Sequence, residues 1–184
     1  MRKTGVFLDR DDTIIRDRIY LDNPDDIEIL PGTCEAIHTL NQKGIPVIII
    51  TNQSGIARGL LDEETLHEIH LELMSRLASM GAMIDAVYYC PHHPEGSVAE
   101  YRKTCPCRKP EPGLLYQAAK EFCLDLNSCY MIGDKPIDVE TIHRVGGKGI
   151  LLTHLHNGDT GQKPDFTAND LVEAVQWILE DINS

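Results

Sequence analysis

The sequence predicts an α/β fold, a three-layer, Rossmann-like parallel sheet with helices on both faces. Two observations lead to this prediction. Short, continuously apolar runs, typical of strands buried on both faces, recur along the chain, and segments of helical periodicity lie between them. Strand and helix alternate five times in this way, and such alternation is typical of a parallel sheet covered by helices.

Five apolar runs are the predicted strands, and each is bounded by polar residues or glycine. The second run is rich in β-branched residues and ends at Thr51. The predicted strands are residues 6–8, 46–50, 84–89, 130–132 and 149–152.

Five segments with an apolar stripe at helical spacing are the predicted helices. Asp62 is typical of a helix N-cap, since two glutamates follow it and the apolar stripe then continues to Met80. Pro136 suits the first position of a helix. The predicted helices are residues 34–43, 62–80, 113–123 and 136–145, and a last one capped by Asn169 or Asp170.

The composition limits the possible functions. The chain has 184 residues, 42% of them hydrophobic, and this length and composition are typical of one globular domain over residues 1–184. Its formal net charge is −12. Because so acidic a chain is repelled by nucleic acid and by anionic membranes, neither is an expected partner. No apolar run reaches the roughly 20 residues of a membrane span, and the amino terminus does not resemble a secretory signal. We therefore expect a cytoplasmic protein that acts as a monomer.

The stretch over residues 90–112, here called the cysteine loop, is too long for an ordinary connection, so we expect it to be functional or stapled by metal. In a cytoplasmic chain, clustered cysteines favour metal over disulfides. The candidate ligands are Cys90, His92, Cys105 and Cys107. Three sulfurs and one nitrogen complete a tetrahedral Zn²⁺ shell with no position for water, so the predicted zinc is structural. His93 is the alternative nitrogen ligand.

Polar residues follow three of the predicted strands. They are Asp9, Asp11 and Asp12 after the first, Thr51 and Asn52 after the second, and Asp134 with Lys135 after the fourth. The carboxyl ends of parallel strands meet at one edge of the sheet, where ligands bind. Carboxylates so close together repel one another unless a cation such as Mg²⁺ lies among them. Each motif alone is more often a polar turn or a helix cap, but their joint occurrence at one edge favours a site.

Cations from the cysteine loop are expected at the same edge. Arg108 and Lys109, together with the Thr51 hydroxyl, are groups suited to binding a phosphoryl group. An arginine and lysine pair by itself is more often a solvated surface pair. Together with the carboxylates, these side chains predict chemistry on a phosphate ester.

Residues 6–152 resemble the haloacid dehalogenase superfamily of phosphatases. The four motifs of that superfamily match residues 9–13, Thr51-Asn52, Lys109, and Gly133-Asp134 with Asp138. Longer strings at residues 51–59, 90–94, 107–110 and 133–135 are similar to the branch that acts on sugar bisphosphates such as heptose 1,7-bisphosphate. The resemblance implies a Mg²⁺-dependent phosphatase with a phosphorylated sugar as substrate. The related histidinol-phosphate phosphatases, with a similar zinc loop, are the alternative.

The resemblance also implies a role for each motif residue. Asp9 is expected to be the nucleophile that becomes an aspartyl-phosphate, and Asp11 the general acid and then the general base. Thr51 and Lys109 are expected to stabilise the phosphoryl oxygens. Mg²⁺ is expected on the Asp9 side chain, the Asp11 backbone carbonyl and Asp134.

Substrate contacts are expected from the loops, because no large cap domain fits between the first two motifs. Arg108 is suited to a second phosphate of the substrate, and Asp138 is expected to orient Lys109 or Lys135. The other expected substrate-binding residues are Asp17, Arg18, Ile19, Tyr20, Asn52, Gln53, Ser54 and Lys135.

One residue departs from the family pattern. Asp12 stands where glycine is usual, which suggests a positive φ or a carboxylate that points to solvent. A catalytically impaired binding module, stapled by zinc, is therefore a third hypothesis.

Overall fold

The computed structural model describes residues 3–18, 20–153 and 163–184, which form one parallel sheet of six strands in the order β3-β2-β1-β4-β5-β6. The strands are β1 (Val6–Leu8), β2 (Val47–Asn52), β3 (Ala86–Cys90), β4 (Tyr130–Gly133), β5 (Lys148–Leu152) and β6 (Phe166–Ala168). This is the strand order of doubly wound nucleotide-binding folds. The predicted fold class is confirmed.

Helices cover both faces of the sheet and divide the core in two. They are α1 (Thr33–Gln42), α2 (Glu63–Ser79), α3 (Gly113–Phe122), α4 (Pro136–His143) and α5 (Leu171–Ile182). Alternate residues of a strand point to opposite faces. Leu8 therefore packs in the core formed with α1, α2 and α5, and Phe7 packs in the core formed with α3 and α4.

Local sequence signals account for where these helices begin. The Asp62 carboxylate accepts a hydrogen bond from the Thr65 backbone N–H at 2.8 Å, so it caps α2 as predicted. Pro136 occupies the first turn of α4, and Asp170 caps α5. Among the described helices, none is both long enough and apolar enough to cross a membrane.

The structure differs from the predicted strands in two places. β6 was not predicted, because its three residues carry too short a pattern and lie at the sheet edge beside β5. β3 is only half-buried over most of its length, since it lies at the opposite edge of the sheet.

The order of the sheet places the ends of β1, β2 and β4 side by side. Leu8 lies in register with Ile49 of β2 and with Ile132 of β4. The next residue, Asp9, donates its backbone N–H to the Ile132 carbonyl at 3.0 Å. The direction of strand order reverses at β1, and this reversal opens a crevice at the carboxyl edge.

Candidate active site

A cleft of about 270 Å³ opens at the carboxyl edge of β1 and β2. Polar residues from both strand ends, the cysteine loop and the start of α4 line it. They include Asp9, Asp11, Asp17, Tyr20, Thr51, Asn52, Gln53, Ser54, Lys109, Lys135 and Asp138. Side chains up to 129 positions apart in the chain, Asp9 and Asp138, thus meet in one concave site.

At the base of the cleft, Lys109 joins two buried carboxylates. Its Nζ donates to Asp9 Oδ1 at 2.7 Å, to Asp138 Oδ1 at 2.6 Å and to the Ile50 carbonyl at 3.0 Å. Burial alone lowers the pKa of Lys109, but the two carboxylates outweigh it and raise that pKa above its ordinary value. Lys109 therefore stays charged and holds one oxygen of Asp9 in place.

Asp138 orients both of the lysines named in the sequence analysis. One oxygen accepts from Lys109 Nζ, and the other accepts from the Lys135 backbone N–H at 3.1 Å. This carboxylate packs so closely on Gly133 that a Cβ there would collide with it. Glycine at position 133 is therefore a packing requirement of the site.

Asn52 holds the backbone of Lys109. Its Nδ2 donates to the Lys109 carbonyl at 3.2 Å, and its Oδ1 accepts from the Lys109 N–H at 3.1 Å. This pair of bonds fastens the cysteine loop to the end of β2. Although Asn52 also lines the cleft, its amide is already engaged with Lys109.

Asp134 is the residue best suited to hold a cation. It is 1% exposed, and neither of its carboxylate oxygens has a hydrogen-bond partner in the described part of the chain. Lys135 Nζ lies 3.2 Å from one of them, outside hydrogen-bond angles. Burial, and then the charge of Asp9, raise the pKa of Asp134 to about 6.

Asp9, Asp134 and Asp138 carry oxygens within 4.8 Å of one another, a spacing that could hold a metal ion. Both oxygens of Asp138 accept hydrogen bonds, from Lys109 and from the Lys135 N–H, whereas Lys109 contacts only Oδ1 of Asp9. Asp9 and Asp134 are therefore the carboxylates better able to face such an ion. Two hard oxygen ligands with room for water and phosphate suit Mg²⁺.

Asp11 is held by side chains of its own motif and of the loop after β2. Its carboxylate accepts two hydrogen bonds from Arg10, at 3.0 and 3.1 Å, and one from Gln53 Nε2 at 2.9 Å. Gln53 Nε2 also donates to Thr51 Oγ1 at 2.9 Å. Gln53 therefore links the predicted acid–base residue to the predicted phosphate-binding hydroxyl.

The backbone at Asp12 has a φ of 55°, in the left-handed region that favours glycine. The Asp12 carboxylate accepts the Asp17 backbone N–H at 2.9 Å. A short polar side chain that bonds locally is among the few that adopt this conformation readily. The unusual residue therefore fits the turn.

Three of the four residues expected to contact sugar lie within the described chain. Asp17 and Tyr20 line the cleft, and Tyr20 has a positive φ of 70°. Arg18 instead pairs with Glu28 at 3.1 Å at an exposed position. Ile19 lies outside the described residues.

The four expected zinc ligands come together in the cysteine loop. Their ligand atoms lie within 4.8 Å of one another, and His92 Nδ1 lies 3.2 Å from Cys105 Sγ and 3.3 Å from Cys107 Sγ. Burial is the main cause of a raised pKa at Cys90, so a thiolate there calls for a cation. This donor set suits tetrahedral Zn²⁺.

Among the described residues, His93 and Arg108 belong neither to that cluster nor to the cleft lining. His93 Nδ1 accepts from the Glu95 N–H at 3.1 Å, which leaves His92 as the nitrogen among the thiols. Arg108 Nη1 donates to the His92 carbonyl at 3.2 Å, and among the described residues it is not part of the cleft lining.

Two buried residues of the site did not stand out in the sequence. Arg10 and His70 are 2% and 5% exposed and contact each other at 3.2 Å. The position of Arg10 between two motif aspartates was its only signal. His70 shares the buried face of α2, where a single histidine is not distinguishable from an ordinary core residue.

A match to a protein-family model shows the family to which the chain belongs. The family model for haloacid dehalogenase-like hydrolases matches residues 3–146. The chain belongs to this family. Residues from each of its four motifs line the cleft.

Relatives within the haloacid dehalogenase-like family are similar over nearly the whole chain. A D-glycero-beta-D-manno-heptose-1,7-bisphosphate 7-phosphatase from Photorhabdus laumondii is 42% identical over 172 residues, 92% of each chain. A phosphatase of the same name from Haemophilus ducreyi is 38% identical over 183 residues, 97% of this chain and 100% of the relative.

A solved structure in this family has the same architecture. The crystal structure of D,D-heptose 1,7-bisphosphate phosphatase from B. bronchiseptica, complexed with magnesium and phosphate, matches with a TM-score of 0.83 at 32% identity. The match covers 97% of this chain and 99% of that chain.

Proposed function

We propose that this chain hydrolyses the C7 phosphate of D-glycero-D-manno-heptose 1,7-bisphosphate. The observation that carries the proposal is the buried contact of 2.7 Å between Lys109 Nζ and Asp9 Oδ1, beside the Asp134 carboxylate, which accepts no hydrogen bond within the described chain. A lysine and a candidate cation site on either side of one carboxylate suit the attack of that carboxylate on a phosphate dianion. The two heptose-bisphosphate phosphatases above support the choice of sugar.

In the first step, an oxygen of Asp9 attacks phosphorus in line with the sugar oxygen. The bond from phosphorus to the sugar oxygen breaks, and Asp11 donates a proton to that oxygen, so that the dephosphorylated sugar leaves as an alcohol. Lys109 and Thr51 line the cleft, where they would face the phosphoryl oxygens. Their charge and hydrogen bonds stabilise the transferring group.

In the second step, water attacks the phosphorus of the aspartyl-phosphate. Asp11, now ionised, accepts a proton from this water, and the bond between phosphorus and Asp9 breaks. Inorganic phosphate and the free Asp9 carboxylate are the products. The hydrogen bonds that Arg10 and Gln53 donate to Asp11 suit its ionised form.

Asp9, the Asp11 backbone carbonyl and Asp134 would hold Mg²⁺, and Cys90, His92, Cys105 and Cys107 would hold Zn²⁺. Bound Mg²⁺ supplies positive charge that reduces repulsion between the Asp9 carboxylate and the phosphate. With zinc bound, the cysteine loop would keep Lys109 at the base of the cleft. Arg108 would bind the second phosphate of the substrate through guanidinium donors other than Nη1, which donates to the His92 carbonyl.

The expected setting of the reaction is the cytoplasm, in the synthesis of activated heptose for lipopolysaccharide or other surface glycans. The identity of the relatives and the phosphate-ester chemistry of the site support this setting.

Phosphate release from a panel of substrates tests the proposal. With Mg²⁺, heptose 1,7-bisphosphate should be hydrolysed with a kcat/KM at least about tenfold above histidinol phosphate and simple sugar monophosphates. Asp9→Asn should lower kcat by roughly 10³-fold or more. The matched control is Asp25→Asn, an exposed carboxylate outside the cleft, which should behave like the wild type.

Preference for histidinol phosphate would replace the substrate assignment but keep the chemistry. Undiminished turnover by Asp9→Asn would contradict the nucleophile itself. No phosphate release from any member of the panel would favour the binding-module hypothesis.

A further inference from the structure

Beside the cleft lies a buried arginine with partners on three sides. Arg10 is 2% exposed, and its Nε and Nη2 donate to the two oxygens of Asp11 at 3.0 and 3.1 Å. Nη2 also donates to Gln53 Oε1 at 3.0 Å, and Nη1 contacts His70 Nε2 at 3.2 Å. A buried charge with this many directed partners is held in one orientation.

The contact with His70 determines the state of that ring. A guanidinium only donates hydrogen bonds, so His70 Nε2 is the acceptor and the ring proton lies on Nδ1. Burial, together with the charge of Arg10, lowers the pKa of His70 to about 3. His70 is therefore a neutral acceptor at neutral pH, and a protonated ring would repel Arg10.

These hydrogen bonds form a chain of contacts, here called the relay, from His70 on α2 through Arg10 and Gln53 to Asp11 at the cleft. His70 contacts Nη1 of the guanidinium and Gln53 accepts from Nη2. These two contacts fix the plane of the guanidinium that bonds to Asp11. The Asp11 side chain is 19% exposed whereas that of Arg10 is 2% exposed. The most exposed part of the relay is thus the carboxylate proposed to move the proton.

We propose that Arg10 and His70 are positioning residues for acid–base catalysis, with neutral His70 orienting the guanidinium that aligns the Asp11 carboxylate with the leaving oxygen. This inference rests on the proposed function, because it needs Asp11 to be the general acid. It concerns proton transfer and not the binding of the phosphate, which involves Thr51 and Lys109.

The leaving group separates this role from a general role in stability. A sugar alkoxide is a poor leaving group and needs a proton from Asp11, whereas p-nitrophenolate leaves as a stable anion and does not. Misalignment of Asp11 should therefore lower kcat/KM for the sugar phosphate and spare the aryl phosphate. A loss of folded enzyme lowers both equally.

His70→Phe keeps the size and burial of the ring but removes the acceptor. We expect kcat/KM for heptose 1,7-bisphosphate to fall at least about tenfold, with p-nitrophenyl phosphate within about threefold of wild type. His70→Gln restores an acceptor near the position of Nε2 and should recover most of the loss. Arg10→Lys keeps the charge without the fork, should show the same selective loss, and covers the case in which His70→Phe does not fold.

Two reference variants make the result decisive. Leu73→Ala removes a fully buried side chain one turn along α2 and should affect both substrates alike. Asp11→Asn should show the selective loss in its strongest form. An Asp11→Asn variant without that selectivity would overturn the proposed acid role, whereas normal selectivity in His70→Phe and Arg10→Lys would overturn only the positioning role.

The tautomer of His70 provides a measurement that needs no activity. Imidazole nitrogen chemical shifts should show a neutral ring with the proton on Nδ1 at pH 7. A protonated ring, or a proton on Nε2, would contradict the relay even if the kinetics agreed.

Discussion

Burial of the Asp134 carboxylate, directly after β4, costs free energy of folding. Its buried oxygens lack hydrogen-bond partners in the described chain, and burial of an unpartnered carboxylate is unfavourable. The raised pKa, about 6, has the same origin, since burial and the charge of Asp9 both disfavour ionisation. A cation at this position would remove both penalties.

Asp134→Asn should therefore have opposite effects on stability with and without Mg²⁺. In chelator the variant should be more stable than wild type by roughly 1 kcal/mol or more, because an amide costs less to bury than an ionised carboxylate. Saturating Mg²⁺ should stabilise the wild type, by about 2.7 kcal/mol at a hundred times Kd, and leave the variant unchanged. Urea unfolding of wild type and variant, in chelator and in Mg²⁺, measures these stability differences. Equal stabilisation of the two proteins by Mg²⁺ would contradict the assignment of Asp134 as a Mg²⁺ ligand.

Asp12 allows a matched test of its positive φ. Asp12→Gly and Asp12→Ala both remove the carboxylate that accepts the Asp17 N–H, but only alanine is strained at a φ of 55°. We expect the alanine variant to be less stable than the glycine variant by roughly 1 kcal/mol in urea unfolding. Both should keep kcat within about threefold, since neither alters Asp9 or Asp11. Equal stabilities would mean that the turn relaxes to another conformation.

At the scale of elements, the cysteine loop and the end of β2 together position Lys109. The loop places Lys109 near Asp9, and Asn52 fastens the Lys109 backbone to the end of β2. A metal that orders residues 90–107 would therefore act on activity as well as on stability, although its cluster lies outside the cleft.

Cys105→Ser should release the loop. We expect loss of about one zinc per chain by metal analysis, a lower melting temperature, and a kcat lowered at least about tenfold, because Lys109 loses its support. The matched control is Cys123→Ser, an exposed cysteine outside the cluster, which should keep its zinc and its activity. A zinc-free Cys105→Ser protein with full activity would show that the loop does not depend on metal.

At the scale of the whole molecule, buried His70 links stability to pH. Its pKa in the folded protein, about 3, lies below the ordinary value of 6.5, so the unfolded chain binds the proton first as the pH falls. The free energy of unfolding should therefore decrease below pH 6.5, by at most about 1.4 kcal/mol per pH unit from this group.

His70→Gln lacks this group, so its stability should fall less steeply between pH 6.5 and 4.5. The stability difference between wild type and variant, from urea unfolding at several pH values, should shrink toward acid. Leu73→Ala should instead differ from wild type by a constant amount. A constant difference for His70→Gln as well would mean that His70 titrates as in the unfolded chain.

The fold was largely predictable because its signals are local. The apolar run before Asp9, the Asp62 cap and Pro136 each act through neighbours in the chain. The edge strand β6 escaped prediction, because three residues at a sheet edge carry no pattern of their own. Candidate site residues could be named because a strand end must be followed by the residues that occupy the carboxyl edge. Of their pairings, the sequence predicted that of Asp138 with a lysine but not those of Asp11 or Arg108.

The sequence by itself determined the alternation of strands and helices, the family motifs and the donor set of the cysteine loop, since these depend on spacing along the chain. The tertiary structure alone decided which side chains meet. Arg10 and His70 are 60 positions apart and make contact only because α2 packs beside β1. Likewise, Arg108 donates to the His92 carbonyl. The path of the loop in space determines this partner, and the residue type does not. Hydrogen bonds are short and directional, so a pattern that places two residues at the same edge leaves their pairing open.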